Sequence, residues 1–250
     1  MAAIEMSWEY TYAALAILAA GIIRGYSGFG FAMITAITLS HIFPPSQITP
    51  VILSLDVAAS LWLFLKVKKL VDWKSLKYIG LGALLTLPLG TFALVVIPVN
   101  YMRIFISAVI ICLCAGLLKK QVQFKSKNRL TTTGVGMISG FLSGVAAIGG
   151  PPVILFYFSS DKSVSVSRAS MIAFFLVVDT LALFSSACYG LLNLQTLNLS
   201  FGLFIPLITG IWIGNLLYGK IQNTVAFRKQ VIFLLMTIAF ISLIKFSFAT

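Results

Sequence analysis

Two carboxylates and one guanidinium stand in sequence that is otherwise too apolar to hold charge. Asp56 lies in the apolar run 48–65 and Asp179 in the run 168–190; no other Asp or Glu falls deep inside such a run. Arg24 directly precedes Gly25-Tyr26-Ser27-Gly28-Phe29-Gly30, at the end of the run 8–23. An Asp at the centre of a membrane span costs ~2.5–3.5 kcal/mol on insertion scales, so each Asp is a functional candidate by default. Two roles stand open for the pair. Each carboxylate can brace broken backbone by accepting its freed N–H groups, or it can handle protons or substrate, since a buried carboxyl can also hold a proton. Arg24 has three readings: two parallel N–H bonds to an oxyanion, an ion pair with Asp56, or snorkelling to the membrane surface.

The backbone around Arg24 recurs. Gly21-Ile22-Ile23-Arg24-Gly25-Tyr26-Ser27-Gly28-Phe29-Gly30 returns as Gly140-Phe141-Leu142-Ser143-Gly144-Val145-Ala146-Ala147-Ile148-Gly149, a shift of 119 positions. Ser143 stands where the first copy has Arg24, so the copies differ in chemistry. Glycine weakens helix continuity, and a break inside a bilayer is tolerated where protein or a watery cavity satisfies the freed groups. Paired interruptions in two halves of a chain point to a transporter's binding site. A helix restarting after each break exposes unpaired N–H groups and a positive dipole end, which suits an anion. The candidate substrate ligands are therefore Arg24, Gly25, Ser27, Gly28, Gly30, Ser143, Gly144, Gly149, Gly150 and Pro151, with Asp56 and Asp179 bracing the hairpins or coupling transport. Pro151 and Pro152 fit a first helical turn, where the missing N–H would be unpaired anyway.

These residues need a membrane scaffold. The chain of 250 residues is 60% hydrophobic and 10% charged, with a mean hydropathy of +1.04, whereas soluble domains carry roughly a quarter charged residues. Apolar runs fall at about 8–23, 29–43, 48–65, 76–97, 101–118, 131–146, 149–160, 168–190, 198–219 and 226–248. The second and seventh are short for a span, and each follows a glycine break. Each pairs with the preceding run as a hairpin, either re-entrant or made of two short tilted spans. The expected fold is all-α and integral to the membrane: two inverted-topology repeats, 1–125 and 126–250, each a broken-helix hairpin plus three transmembrane helices, together one membrane domain. Asp56 matches Asp179 at a shift of 123, and Gly90 matches Gly214 at 124.

Charge supports the inversion. The 66–77 segment holds Lys66, Lys68, Lys69, Lys74 and Lys77, while its counterpart from Leu191 to Asn198 is uncharged. The 43–50 connection is uncharged, while 159–168 carries Lys162 and Arg168. The 98–103 turn holds Arg103 alone, against Lys220, Arg228 and Lys229 in its counterpart. With Lys119, Lys120, Lys125, Lys127 and Arg129, these clusters hold most of the 18 basic residues and form the positive-inside pattern of cytoplasmic loops. Both termini are expected outside the cytoplasm, Lys245 being a minor exception near the last helix end. The stretch before Tyr10 lacks a basic n-region, so the first apolar run is kept as structure. The net charge of +12 belongs to these loops and does not indicate nucleic acid.

Other chemistries are poorly supported. Cys112, Cys114 and Cys188 make no disulfide framework or metal cluster. There is no His–carboxylate constellation and no Ser–His pair, so neither a cofactor, a metal nor an enzymatic activity is expected. His41 reads as incidental, and Asn215 as interhelical glue. The expected partners are a small anion and the lipid bilayer; self-association is left open.

The segments Arg24–Gly30 and Gly144-Val145-Ala146-Ala147-Ile148-Gly149-Gly150-Pro151-Pro152 resemble the paired signatures of the TauE/SafE family of sulfite and organosulfonate exporters, also called the toluene sulfonate uptake permease family. The resemblance covers essentially the whole chain. It implies multi-pass export of sulfite, sulfoacetate or other sulfonates across a prokaryotic-type inner membrane. The first signature departs from the family's run of three glycines: Phe29 interrupts it and Phe31 follows, reshaping one wall of the site. Alternating access through a midplane site is the leading mechanism. An anion channel, or a proton-coupled transporter of other small organic anions, is the alternative.

Overall fold

The computed structural model describes residues 8–118, 128–158, 162–218 and Phe240. The basic residues Lys119 to Lys127 and Lys220 to Lys229, Asp161, and the tenth apolar run apart from Phe240, with Lys245, lie outside the described residues.

Nine α-helices run through the described residues: α1 Trp8–Ser27, α2 Phe31–Leu39, α3 Pro45–Val67, α4 Trp73–Val96, α5 Val99–Leu118, α6 Arg129–Ala146, α7 Gly150–Phe158, α8 Val164–Cys188 and α9 Leu194–Tyr218. Their starts follow local rules. Pro44 and Pro45 open α3, where no amide N–H is needed. Side chains of Asp72, Asn128 and Ser163 accept N–H bonds from Ser75, Thr131 and Val166 at the starts of α4, α6 and α8. Four stretches are long and apolar enough to cross a membrane, Pro45–Leu70, Trp73–Val96, Ser165–Cys188 and Leu194–Leu217. By contrast, α2 and α7 have 9 residues each. At ~1.5 Å per residue such a helix covers less than half of a ~30 Å hydrocarbon layer.

The protein exposes large apolar side chains and buries, within a mostly apolar core, a small set of charged and polar ones. Leu85, Leu89, Phe201, Ile205 and Trp212 are well exposed, whereas Arg24, Asp56, Asp179, Ser60, Ser139 and Ser143 are buried. A soluble domain keeps charged groups at its surface and large apolar ones inside; lipid-facing helices around a few buried polar groups are a membrane solution.

The glycines of the repeated motif do not all break helices. Helix α1 runs unbroken through Gly21 and Gly25 to Ser27, and the chain turns at Gly28 and Gly30, whose φ angles are 82° and 95°. Gly21 and Gly25 instead let α1 lie against α9. A Cβ on Gly25 would fall against the Ile211 carbonyl and the Asn215 N–H, and one on Gly214 against the Ile22 carbonyl. The same approach recurs between α6 and α4. There a Cβ on Gly144 would fall against the Leu87 carbonyl and the Thr91 N–H, and one on Gly90 against the Phe141 carbonyl. Every residue in the second set follows from the first by the sequence shifts of 119 and 124. Small residues that let backbones touch are how helices associate in lipid. The α4–α6 crossing adds a hydrogen bond from Thr86 Oγ1 to the Met137 carbonyl, at 2.5 Å.

One ion pair, one hydrogen bond and one ring contact link the described basic segments. Lys162 is paired with Asp72, the Asp72 N–H donates to Ser170 Oγ at 2.8 Å, and the Arg129 guanidinium lies over the Tyr78 ring at 5.7 Å. Burial raises the Asp72 carboxyl, but the hydrogen bond and charge of Lys162 and the Ser75 N–H outweigh it and hold the group below the usual carboxylate range. At another junction the Arg103 guanidinium donates to the Phe43 carbonyl at 3.4 Å, joining the 98–103 turn to the 43–50 connection.

Candidate functional site

Both hairpins turn by the same backbone device. At the end of α1 the Gly28 N–H donates to the Arg24 carbonyl at 2.8 Å; at the end of α6 the Ala147 N–H donates to the Ser143 carbonyl at 2.9 Å. Ala147 holds a left-handed φ of 59° where the first hairpin has Gly28, a conformation that costs an L-residue roughly 1–2 kcal/mol. Each turn is then tied by a serine. Ser27 Oγ lies 2.7 Å from both the Ile23 and Phe29 carbonyls and accepts the Phe29 N–H at 3.2 Å. Ser139 Oγ donates to the Gly149 carbonyl at 2.5 Å.

Beyond the turns, the starts of α2 and α7 converge on a small cavity lined by Arg24, Gly30, Ala32, Met33, Asp56, Ala147, Gly150 and Phe175. Its empty space is about 200 Å³, counted with its open mouth. Arg24 dominates the wall. Its terminal nitrogen lies 2.9 Å from Asp56 Oδ1 and donates to Ser60 Oγ at 2.6 Å, its Cζ lies 4.6 Å from the Phe175 ring centroid, and its Nε has no partner. Asp56 Oδ1 accepts no well-aligned hydrogen bond, so the pair is held by charge more than by hydrogen-bond direction. Arg24 therefore does not snorkel: it is 1% exposed, and the ion pair is its observed contact.

Asp179 comes to the same centre from α8. It is 1% exposed, lies within hydrogen-bonding reach of Asp56, and neither of its oxygens has a hydrogen-bond donor. Two carboxylates cannot bond to each other; they can with one proton between them.

Of the residues singled out in the sequence, Arg24, Gly30, Asp56 and Gly150 line the cavity. Gly25 and Gly144 face α9 and α4. Ser27 and Gly28 form the first turn. Gly149 packs on Ser143 and Ser139, and the Ser143 hydroxyl is buried with no partner. Pro151 sits in the first turn of α7.

Ser60, Phe175, Ala32, Met33 and Ala147 were not singled out. Ser60 follows Asp56 by four residues and Phe175 precedes Asp179 by four, so one helical turn from each aspartate was the available signal. Arg168 is a further addition. It reads as a loop cation, yet its side chain packs over Gly28 and donates to the Gly25 carbonyl at 3.0 Å, where the negative end of α1 favours a cation. Among the described residues no group of three His, Cys, Asp or Glu could hold a metal ion.

Comparison with curated proteins and with solved structures returned no match. The family model of the sulfite exporter TauE/SafE matches residues 13–242, which takes in both hairpins and both aspartates. The chain belongs to the TauE/SafE family of membrane sulfite exporters, a family of transporters and not of enzymes.

Proposed function

We propose that this protein exports a small sulfur-containing oxyanion, sulfite or an organosulfonate, by alternating access through the cavity between the two hairpins. The observation that carries the reading is the convergence of both broken-helix starts on one small cavity walled by Arg24. The first four N–H groups of a helix lack intrahelical partners. For α2 these belong to Gly30, Phe31, Ala32 and Met33. For α7 they reduce to Gly149 and Gly150, because Pro151 and Pro152 have none. The anion is thus held mainly from the α2 side, with the free Nε of Arg24 as a charged donor. Ser27, occupied in its own turn, shapes the hairpin instead of touching substrate.

Two inverted repeats are the architecture that best accounts for this convergence. The α1–α9 crossing recurring as α6–α4 exchanges the halves' first and fourth helices, as a two-fold axis in the membrane plane would require. An odd number of segments per half and the loop charges support cytoplasmic basic segments and outward termini, and the family supports a prokaryotic-type inner membrane. The short α2 and α7 then turn back inside the bilayer, where the cavity satisfies their freed groups. An interior-negative potential favours anion exit by about 2.3 kcal/mol per charge per 100 mV.

Radiolabelled sulfite efflux from proteoliposomes tests the reading. Saturable efflux driven by an imposed voltage is expected, with competition by sulfonates. No sulfite flux through folded protein would sink the sulfite assignment.

A further inference from the structure

We propose that Asp56 and Asp179 form a proton-sharing pair, and that binding of one anion in the adjoining cavity draws one proton onto that pair. The inference rests on the oxyanion site proposed above and adds what moves with the anion.

The argument is one of charge and partners. Three ionisable groups meet at the centre of the bundle, Arg24 from α1, Asp56 from α3 and Asp179 from α8. Among the described residues, α4, α6, α7 and α9 bring no further charge to bear on Asp179. One guanidinium can balance one carboxylate, and it is already in contact with Asp56. Asp179 is buried, and both its oxygens lack a donor, although a buried carboxylate demands either a counter-charge or several N–H bonds. The group within its reach is the Asp56 carboxyl, which can only accept unless a proton lies between them. The arrangement is complete with one proton and incomplete without it.

Anion binding adds the second condition. With both carboxyls ionised, the side chains beside the cavity carry one net negative charge and repel an oxyanion. With one proton on the pair they are neutral, and the N–H groups at the α2 and α7 starts make the site attractive. Binding and protonation therefore favour each other, and linkage requires the effect to be reciprocal. The proton comes from solvent water, forms an O–H bond on one carboxyl, hydrogen-bonds to the other, and returns to solvent when the anion leaves. A divalent oxyanion then moves with one net negative charge and a monovalent one moves without net charge.

The test is the pH dependence of binding by the full-length protein in detergent, using methanesulfonate because this probe does not itself titrate near neutral pH. Its affinity is expected to fall about tenfold per pH unit above the titration of the pair, the slope of a single linked proton. In weak buffer, with an indicator dye, addition of the probe should take up about one proton per anion bound. The variant Asp179→Asn should bind with an affinity independent of pH. Should that variant fail to fold, the proton count on the unmodified protein decides alone. Probe binding with unchanged affinity between pH 5.5 and about 8.5, and no proton uptake, overturns the proton-sharing pair and leaves the anion site standing. Binding that requires sodium and takes up no proton overturns it in favour of a cation at Asp179. Failure of methanesulfonate and sulfite alike to bind at any pH overturns the anion site and this inference together.

Discussion

The two hairpins share a backbone path and differ in what they place on it. Each ends its first helix with an N–H turning back four residues, each is tied by a serine, and each starts a short helix at the same cavity. The first carries Arg24 in contact with Asp56; the second has Ser143, with no partner, at the matching position. The first begins α2 with four free N–H groups, the second begins α7 with a proline pair that removes two. One hairpin is chemically rich and conformationally permissive through Gly28 and Gly30. The other is donor-poor and tightly packed, with Gly149 set against Ser139 and Ser143. On the function proposed above, one hairpin supplies the binding wall and the other the tightly packed wall opposite it.

Substitutions can break that contrast. The largest effect is expected at Arg24. Arg24→Ala strands Asp56 without its counter-charge, and removing one partner of a buried pair costs about 3–5 kcal/mol. Ser143→Ala removes an unpartnered hydroxyl and should change stability by less than about 1 kcal/mol. Thermal unfolding in detergent compares the two; equal losses would mean that the hairpins are not chemically divided. Anion binding should vanish in the first variant and survive in the second.

The glycines sharpen the comparison at an intermediate scale. A Cβ at Gly149 meets the Ser139 carbonyl and the Ser143 hydroxyl, so Gly149→Ala should cost ~1–3 kcal/mol through overpacking. At Gly30 the nearest atom to an added Cβ is Ile23 Cγ2 at 3.4 Å, and φ is 95°. Gly30→Ala therefore suffers from conformation alone, by ~1–2 kcal/mol. The exchange Ala147→Gly runs the other way and should stabilise by about 0.5 kcal/mol, relief of left-handed strain being partly offset by chain entropy. Urea unfolding of the three variants gives the order directly, and a destabilising Ala147→Gly would refute the strain.

The smallest effect lies away from both hairpins, at the ion pair between Asp72 and Lys162. Lys162→Ala should lower stability by no more than ~1 kcal/mol, since Lys162 is partly exposed. The folded Asp72 carboxyl titrates below its ordinary range. Its contribution is therefore present above the unfolded value of about 3.9 and is lost as pH falls through the folded value. The gap between Lys162→Ala and the unmodified protein should close on acidification below about pH 4; a gap that stays constant would show that the pair does not contribute.

Much of this organisation was legible in residue types. Two aspartates, an arginine and a duplicated glycine motif in apolar sequence marked the centre, because lipid makes each of them costly. The two short runs marked α2 and α7. What could not be read was which glycine breaks a helix and which packs one: Gly25 and Gly28 look alike in sequence, and the choice depends on α9 lying against α1. Nor did spacing say that Arg24 would meet Asp56, or that the matching Asp179 would meet Asp56 and not its own hairpin. Those contacts join helices from different parts of the chain. Ser60 and Phe175 were within reach, one turn from each aspartate, for a reader extending each site along its helix.

The glycine crossings also govern the order in which the molecule can be assembled. Tyr10 donates to the Gly202 carbonyl across 192 residues of sequence, and Gly21 and Gly25 face backbone of α9. During synthesis, at about 5–20 residues per second, α1 leaves the ribosome some ten seconds or more before its packing surface exists. Until then its small-residue stripe must be shielded by lipid or by the insertion machinery. Helices α4 and α6, by contrast, are made close together and can pair early. Helix α1 is thus seated only after α9 has been made, and the cavity whose wall it supplies is complete only then.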